Sequence, residues 1–341
     1  MADLMDVSVL RGVGDLAVEQ RPVPSPALGE VLIRVGSVGV CGSDVHYFRH
    51  GRIGDYVVRQ PLVLGHEGGG TIVAVGEGVD SSRLGQRVAM EPGVPDRICR
   101  ECKAGRYNLC PNVRFFATPP IDGCFAEFVT LAADFAHPVP DSISDDGAGL
   151  IEPLSVGVWA CGKVGVGPGS RVLISGAGPI GLMNAQVARA LGATEIIVSD
   201  VAPTRLEAAT RFGATVLVDA REPDAIGPQL EVDAFIDCSG APPAVRQGIT
   251  AVRPAGRVAL VGMGADELSL PVSLIQNREL TVTGTFRYAN TYPTAIALAA
   301  AGRVDLDGMV TGHFGLDDVE SALSADKDPA NLKVIVEPGR R

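Results

Sequence analysis

Aromatic side chains are scarce in this chain, with one Trp, five Tyr and ten Phe among 341 residues. Its cores must therefore be built from aliphatic Val, Leu, Ile and Ala. Basic residues are outnumbered, 29 Lys and Arg against 40 Asp and Glu, for a net charge of -11. That balance excludes a nucleic-acid backbone as partner, because phosphate binding needs a basic footprint, and it suits a soluble protein. There is no run of eighteen uncharged apolar residues, so no membrane span is expected. The start, Met1-Ala2-Asp3-Leu4-Met5-Asp6, lacks a basic stretch followed by an apolar one, and no signal peptide is expected. Low-complexity tracts and internal repeats are missing too. Seven cysteines is an odd number, and three of them crowd into residues 99–110. This pattern speaks against a disulfide framework and for reduced thiolates and metal, hence for a cytoplasmic protein.

What the chain has in abundance is glycine, 42 residues, with 24 Pro, the punctuation of many short strands and βα units. Its length allows two domains, each with its own core. Residues 1 to about 150 read as β-rich, with strands expected at Val31–Val35, Thr71–Val75 and Phe125–Val129. Further on, strand-like runs at Arg171–Ile174 and Glu195–Val198 flank a helical stretch, Gly181–Leu191. More strands are expected at Thr215–Val218, Val232–Ile236, Arg257–Val261 and Leu280–Gly284. Six strands alternating with helices describe a doubly wound parallel sheet, so the chain is α/β. Tyr292–Ala301 reads as a helix and Lys333–Val336 as a last strand, in a tail too short for a domain of its own. The tail is expected to return to the β-rich domain, giving domains of 1–154 with 286–341, and 155–285.

Two glycine-rich stretches carry chemistry. Ser175-Gly176-Ala177-Gly178-Pro179-Ile180-Gly181 follows a strand and opens a helix. Gly176 and Gly178 suit a tight turn and close approach of a pyrophosphate, Gly181 suits close packing of helix on strand, and Pro179 and Ile180 begin a helix whose N–H groups face phosphate. Asp200, nineteen residues after Gly181, ends the next strand. A carboxylate there accepts from both ribose hydroxyls and repels a 2′-phosphate, so NAD is expected over NADP, with Arg205 a candidate for the adenine or ribose. The other stretch is Gly65-His66-Glu67-Gly68-Gly69-Gly70, with Cys41 upstream. A thiolate, an imidazole and a carboxylate can hold a catalytic zinc while leaving one position open, and the open position makes the metal a Lewis acid.

Gly65-His66-Glu67 followed by Gly70, Gly76 and Val79 resembles the zinc alcohol dehydrogenase signature of the medium-chain dehydrogenase/reductase superfamily. Within it, five segments resemble the sorbitol (polyol, or L-iditol 2-) dehydrogenases: Cys41–Tyr47, Gly105–Leu109, Ala117–Pro120, Ile151–Gly157 and Phe286–Thr291. The likeness spans essentially the whole chain. It implies a β-rich GroES-like catalytic domain beside a Rossmann domain, with zinc and NAD as cofactors and a small polyol as substrate. It also implies a homo-oligomer, a tetramer by resemblance. Cys41, His66 and Glu67 resemble the zinc ligands, and Glu152 the glutamate that binds the metal's water or exchanges with it. Asp44 resembles the carboxylate that orients His66. Ser43 resembles the hydroxyl that takes the alcohol proton, and His46 an onward relay. Tyr47, Phe115, Thr118, Arg287 and Tyr288 resemble the polyol pocket, where Phe115 can equally be plain packing.

Cys99, Cys102 and Cys110 fall at the second to fourth positions of the family's four-cysteine lobe, and Asp96 stands at the first. Either the lobe holds a structural zinc through one oxygen and three thiolates, which is the preferred reading, or the metal is lost and packing holds it. A threonine or butanediol dehydrogenase of the same superfamily is a near rival; a dinucleotide-binding protein without catalysis is a distant one. Intact Cys41, Ser43, His66 and Glu67 speak against the latter.

Overall fold

A computed structural model of the protein describes residues 3–340, which form two compact units. The first comprises residues 3–152 and 306–340, and the second residues 153–305. The return therefore falls twenty residues later than the expected 285/286 boundary. The reason lies in local packing. The Tyr292–Ala300 helix buries Tyr292 and Ala295, and Tyr288 lies with its ring 5.8 Å from that of Tyr292. The Asp305 N–H donates to Gln186 Oε1 at 2.6 Å, on the helix Pro179–Ala190 of the parallel-sheet unit. Residues 286–305 thus finish the second unit.

The first unit is built on a seven-stranded sheet around the long strand Glu30–Gly39. Its alternation of Val, Leu and Ile buries Val31, Ile33, Val35 and Val38. Strand Glu67–Val75 pairs antiparallel with one edge, setting Gly39 opposite Glu67. Along the other edge lie Phe128–Ala132 and, at the far end, Lys333–Val336, which sets Ile335 opposite Gly39. The tail's return is thus a strand added beside the metal-ligand candidates. The expected strand at Phe125 begins three residues later, at Phe128. Phe125 instead packs in the core, in a connection whose N–H groups at Cys124 and Phe125 donate to Gly65 and Leu64 carbonyls. A Cβ on Gly65 would lie 2.7 Å from the Phe125 ring, so this aromatic needs the bare backbone before His66.

The second unit is a six-stranded parallel sheet in the order Val216–Asp219, Glu195–Asp200, Arg171–Ser175, Val232–Asp237, Val252–Leu260, Thr281–Gly284. The strand order reverses at Arg171–Ser175, so the crevice beyond its C-terminal end is where such sheets take ligands. Gly176 begins there. Among the described residues, no helix is long and apolar enough to cross a membrane.

Candidate active site

Cys41 ends the run out of strand Glu30–Gly39 and caps the N-terminus of helix Gly42–His50. Asp44, three residues into that cap, is fully buried. Its Oδ2 accepts from the Cys41 N–H at 3.0 Å and its Oδ1 from the Gly65 N–H at 2.9 Å. Asp44 therefore ties together the two chain segments that carry Cys41 and His66. Its Oδ1 stands 3.7 Å from His66 Nδ1, an ion-pair distance rather than a hydrogen bond. Burial works against the Asp44 charge, but the facing His66 and the two N–H donors outweigh it and hold the carboxyl below its usual range. Burial likewise disfavours a charged His66, but Asp44 and Cys41 outweigh it and hold the imidazole well above its usual range.

Cys41, His66 and Glu67 each present a ligand atom within 4.8 Å of the others. Thiolate, imidazole and carboxylate, two of the three residues buried, are a donor set that fits zinc. Glu152 is buried on helix Asp145–Lys163 and stands outside that trio. Ser43 is half-buried on the Gly42–His50 helix, Tyr47 is buried, and His46 is exposed with its ring 4.8 Å from that of His50. Phe115 lies with its ring 5.7 Å from the His66 ring and buried against Gly93, so it packs beside His66. Thr118 is half-buried a few residues on. Of the remaining pocket candidates, Tyr288 is buried and Arg287 half-buried in the second unit, where the Arg287 guanidinium lies 4.8 Å over the Phe286 ring.

Lys333 was not legible as a site residue. It is 3% exposed at its side chain, donates to the Val40 carbonyl at 2.7 Å, and meets Glu67 Oε1 at 2.5 Å. Burial disfavours its charge, but Glu67 and Cys41 more than compensate and hold the ammonium above the usual lysine range. The one available signal was a charge opening an otherwise apolar strand.

The 96–110 lobe is closed at its base by the antiparallel pair Gly93–Val94 and Arg114–Phe115. Asp96, Cys99, Cys102 and Cys110 present ligand atoms that all lie within 4.8 Å of one another. Asp96 Oδ1 accepts from the Ile98 and Cys99 N–H groups at 3.0 Å each, and Oδ2 from Asn112 at 2.8 Å. The aspartate is thus fixed in the place of a first cysteine. Cys99 and Cys102 sulfurs stand 3.3 Å apart, both as free thiols. Burial and the neighbouring thiols push the Cys102 thiol up to about 12, so this sulfur would need a bound cation to act as a thiolate.

In the second unit, Gly176 takes φ +91°, a conformation that favours glycine. A Cβ on Gly181 would lie 1.8 Å from the Gly176 carbonyl oxygen, which is why the third glycine lets the helix approach its strand. Gly178 caps the helix and Pro179 and Ile180 form its first turn. Asp200 Oδ2 accepts from the Ala177 N–H at 2.6 Å and Oδ1 from the Ala202 N–H at 2.8 Å. The carboxylate is therefore clamped against the glycine loop. Arg205 is half-buried on the next helix, Pro203–Arg211. Asp237 also escaped the sequence reading. It is buried at the end of the neighbouring strand, accepting from Ser175 Oγ at 2.6 Å and from the Ser239 and Gly240 N–H groups.

The alcohol dehydrogenase GroES-like domain model matches residues 27–141 and the zinc-binding dehydrogenase model residues 179–301. The sorbitol dehydrogenase of Bacillus subtilis is 44% identical over 98% of both chains. An Escherichia coli oxidoreductase/dehydrogenase of unknown specificity superposes with a TM-score of 0.93 at 36% identity, covering 98% of this chain and 99% of that one. An Escherichia coli alcohol dehydrogenase solved with NADH superposes equally well at 29% identity, covering 98% of this chain and 100% of that one. The fold and the site define a zinc-binding dehydrogenase of the medium-chain type, and the chain belongs to the sorbitol dehydrogenase family within it.

Proposed function

We propose that the protein oxidises a secondary hydroxyl of a polyol, a sorbitol- or xylitol-like alditol, to the ketose while reducing NAD. The observation that carries this reading is the convergence of Cys41, His66 and Glu67, whose ligand atoms lie within 4.8 Å of one another, in a chain 44% identical to a sorbitol dehydrogenase. Cys41, His66 and Glu67 would hold the zinc, and Glu152 would act on its water. When bound, zinc supplies Lewis acidity that makes a hydroxyl proton easier to remove. Asp44 fixes the ligand geometry by bonding both ligand-bearing segments. Ser43 takes the alcohol proton, and exposed His46 passes it to solvent. Tyr47 and Thr118 would bind hydroxyls of the alditol, with Phe115 beside them, and Arg287 and Tyr288 are the polyol-binding candidates of the second unit. The glycine loop with Pro179 and Ile180 seats the pyrophosphate, Asp200 takes the ribose, and Arg205 borders it. The Asp96, Cys99, Cys102 and Cys110 lobe would carry a second, structural zinc.

Free thiols at all seven cysteines suit a reducing cytoplasm, and the family resemblance favours a tetramer. A panel of sorbitol, xylitol, L-iditol, galactitol, ribitol and arabinitol, followed by NADH absorbance, tests the reading. Turnover of none of them would overturn it.

A further inference from the structure

Lys333 reaches the metal-ligand set through strand register. Its strand sets Ile335 beside Gly39, and Gly39 faces Glu67 across the next pairing. A lysine 266 residues away in sequence thereby meets Glu67 Oε1 at 2.5 Å and also touches Oε2. It bonds the Val40 carbonyl as well, next to Cys41. The two side chains are 3% and 1% exposed, so water does not screen them. A Cβ on Gly39 would stand 2.2 Å from Glu67 Oε2, so the carboxylate fills the space that the glycine leaves. The same carboxylate is a member of the Cys41–His66–Glu67 trio. One anion therefore faces a fixed ammonium and, with Cys41, His66 and Glu67 read as ligands, would face a zinc as well.

We propose that Lys333 is a positioning residue that shares the Glu67 carboxylate with the zinc, weakening Glu67 as a ligand and keeping the metal exchangeable. The inference rests on the reading of Cys41, His66 and Glu67 as ligands. A carboxylate partly neutralised by a buried ammonium donates less charge to a metal, and the ammonium itself repels the metal. A purely structural Lys333 would act in the opposite direction, because its loss would free Glu67 to wander and loosen the metal.

The test uses the full-length, zinc-loaded protein and a chromogenic chelator in excess. The release phase that disappears in Cys41→Ser identifies the zinc at this trio. Lys333→Met should slow that phase by at least ~10-fold, the effect of about one unscreened charge interaction. Cobalt-substituted Lys333→Met should show displaced visible absorption bands, reporting a changed carboxylate donor. Lys333→Arg, which keeps the charge, should release zinc within ~3-fold of wild type. Should Lys333→Met fail to fold, Lys333→Gln keeps a donor without the charge and is read in the same way. Unchanged or faster release in the neutral variants overturns the proposal, as does a tenfold change in Lys333→Arg. A wild-type protein with no zinc phase sensitive to Cys41→Ser would instead overturn the ligand reading itself.

Discussion

Replacing Asp200 by Ala probes coenzyme choice, and the structure sets how large the effect should be. The carboxylate is clamped by the Ala177 and Ala202 N–H groups at 2.6 and 2.8 Å, so it cannot turn aside when a ligand arrives. A 2′-phosphate placed about 5 Å away would feel a repulsion of about 2–3 kcal/mol per unit charge at an effective dielectric of about 20–40. The wild-type protein should therefore favour NAD over NADP in kcat/KM by at least ~100-fold, about 2.7 kcal/mol. Asp200→Ala removes the repulsion but also frees two loop N–H groups, each hydrogen bond to a charged acceptor being worth about 1.5–3 kcal/mol. Two effects should appear together: the preference should narrow to less than ~10-fold, and kcat/KM for NAD should fall by ~10–100-fold. Asp200→Ser, which keeps an acceptor, should narrow the preference with a smaller loss. Steady-state kinetics with both coenzymes at a fixed alditol concentration reads all three. Equal use of NAD and NADP by the unmodified protein would refute the reasoning, as would an unaltered preference in Asp200→Ala.

Cys41→Ser replaces a thiolate by a weak neutral ligand; the purified protein should lose one zinc and its turnover, while NADH binding, followed by fluorescence, stays within ~3-fold of wild type. The Asp96 lobe predicts two zinc ions per wild-type chain by elemental analysis, one in Asp96→Ala, and tighter retention in Asp96→Cys with turnover within ~3-fold. A count of one in the wild type, with Cys99, Cys102 and Cys110 open to a thiol reagent, would mean that packing holds the lobe. Arg287→Ala should lower kcat/KM for a five- or six-carbon alditol by ~10–100-fold, the value of one or two charged hydrogen bonds, and change 2-propanol oxidation much less; equal losses on both would remove Arg287 from polyol recognition.

The parallel sheet was legible because its strands are short apolar runs with a strong local signature, and all six stand within a few residues of where the pattern put them. The glycine loop was legible for the same reason, since spacing alone dictates where backbone must approach backbone, as Gly181 does Gly176. Groupings of residues close in sequence were readable too: Asp44 bonds Cys41, and His66 stands with Glu67. Contacts made by long-range register were not. Lys333 and Glu67 meet only because two strands flank Gly39. Asp237 joins the glycine-loop region only because its strand lies beside Arg171–Ser175. The unit boundary was missed because a helix pattern at 292–300 does not say which core it covers. The Gln186–Asp305 bond, which helps to decide it, joins residues 119 apart.

The most direct test of the account is NAD reduction by the purified protein on an alditol panel and on 2-propanol, before zinc removal, after it, and after zinc is restored. At least one five- or six-carbon alditol should be oxidised with a higher kcat/KM than 2-propanol, and activity should fall as zinc is removed and return when it is restored. Preference for 2-propanol over every alditol would contradict the substrate class, and undiminished turnover in zinc-free protein would contradict the metal site.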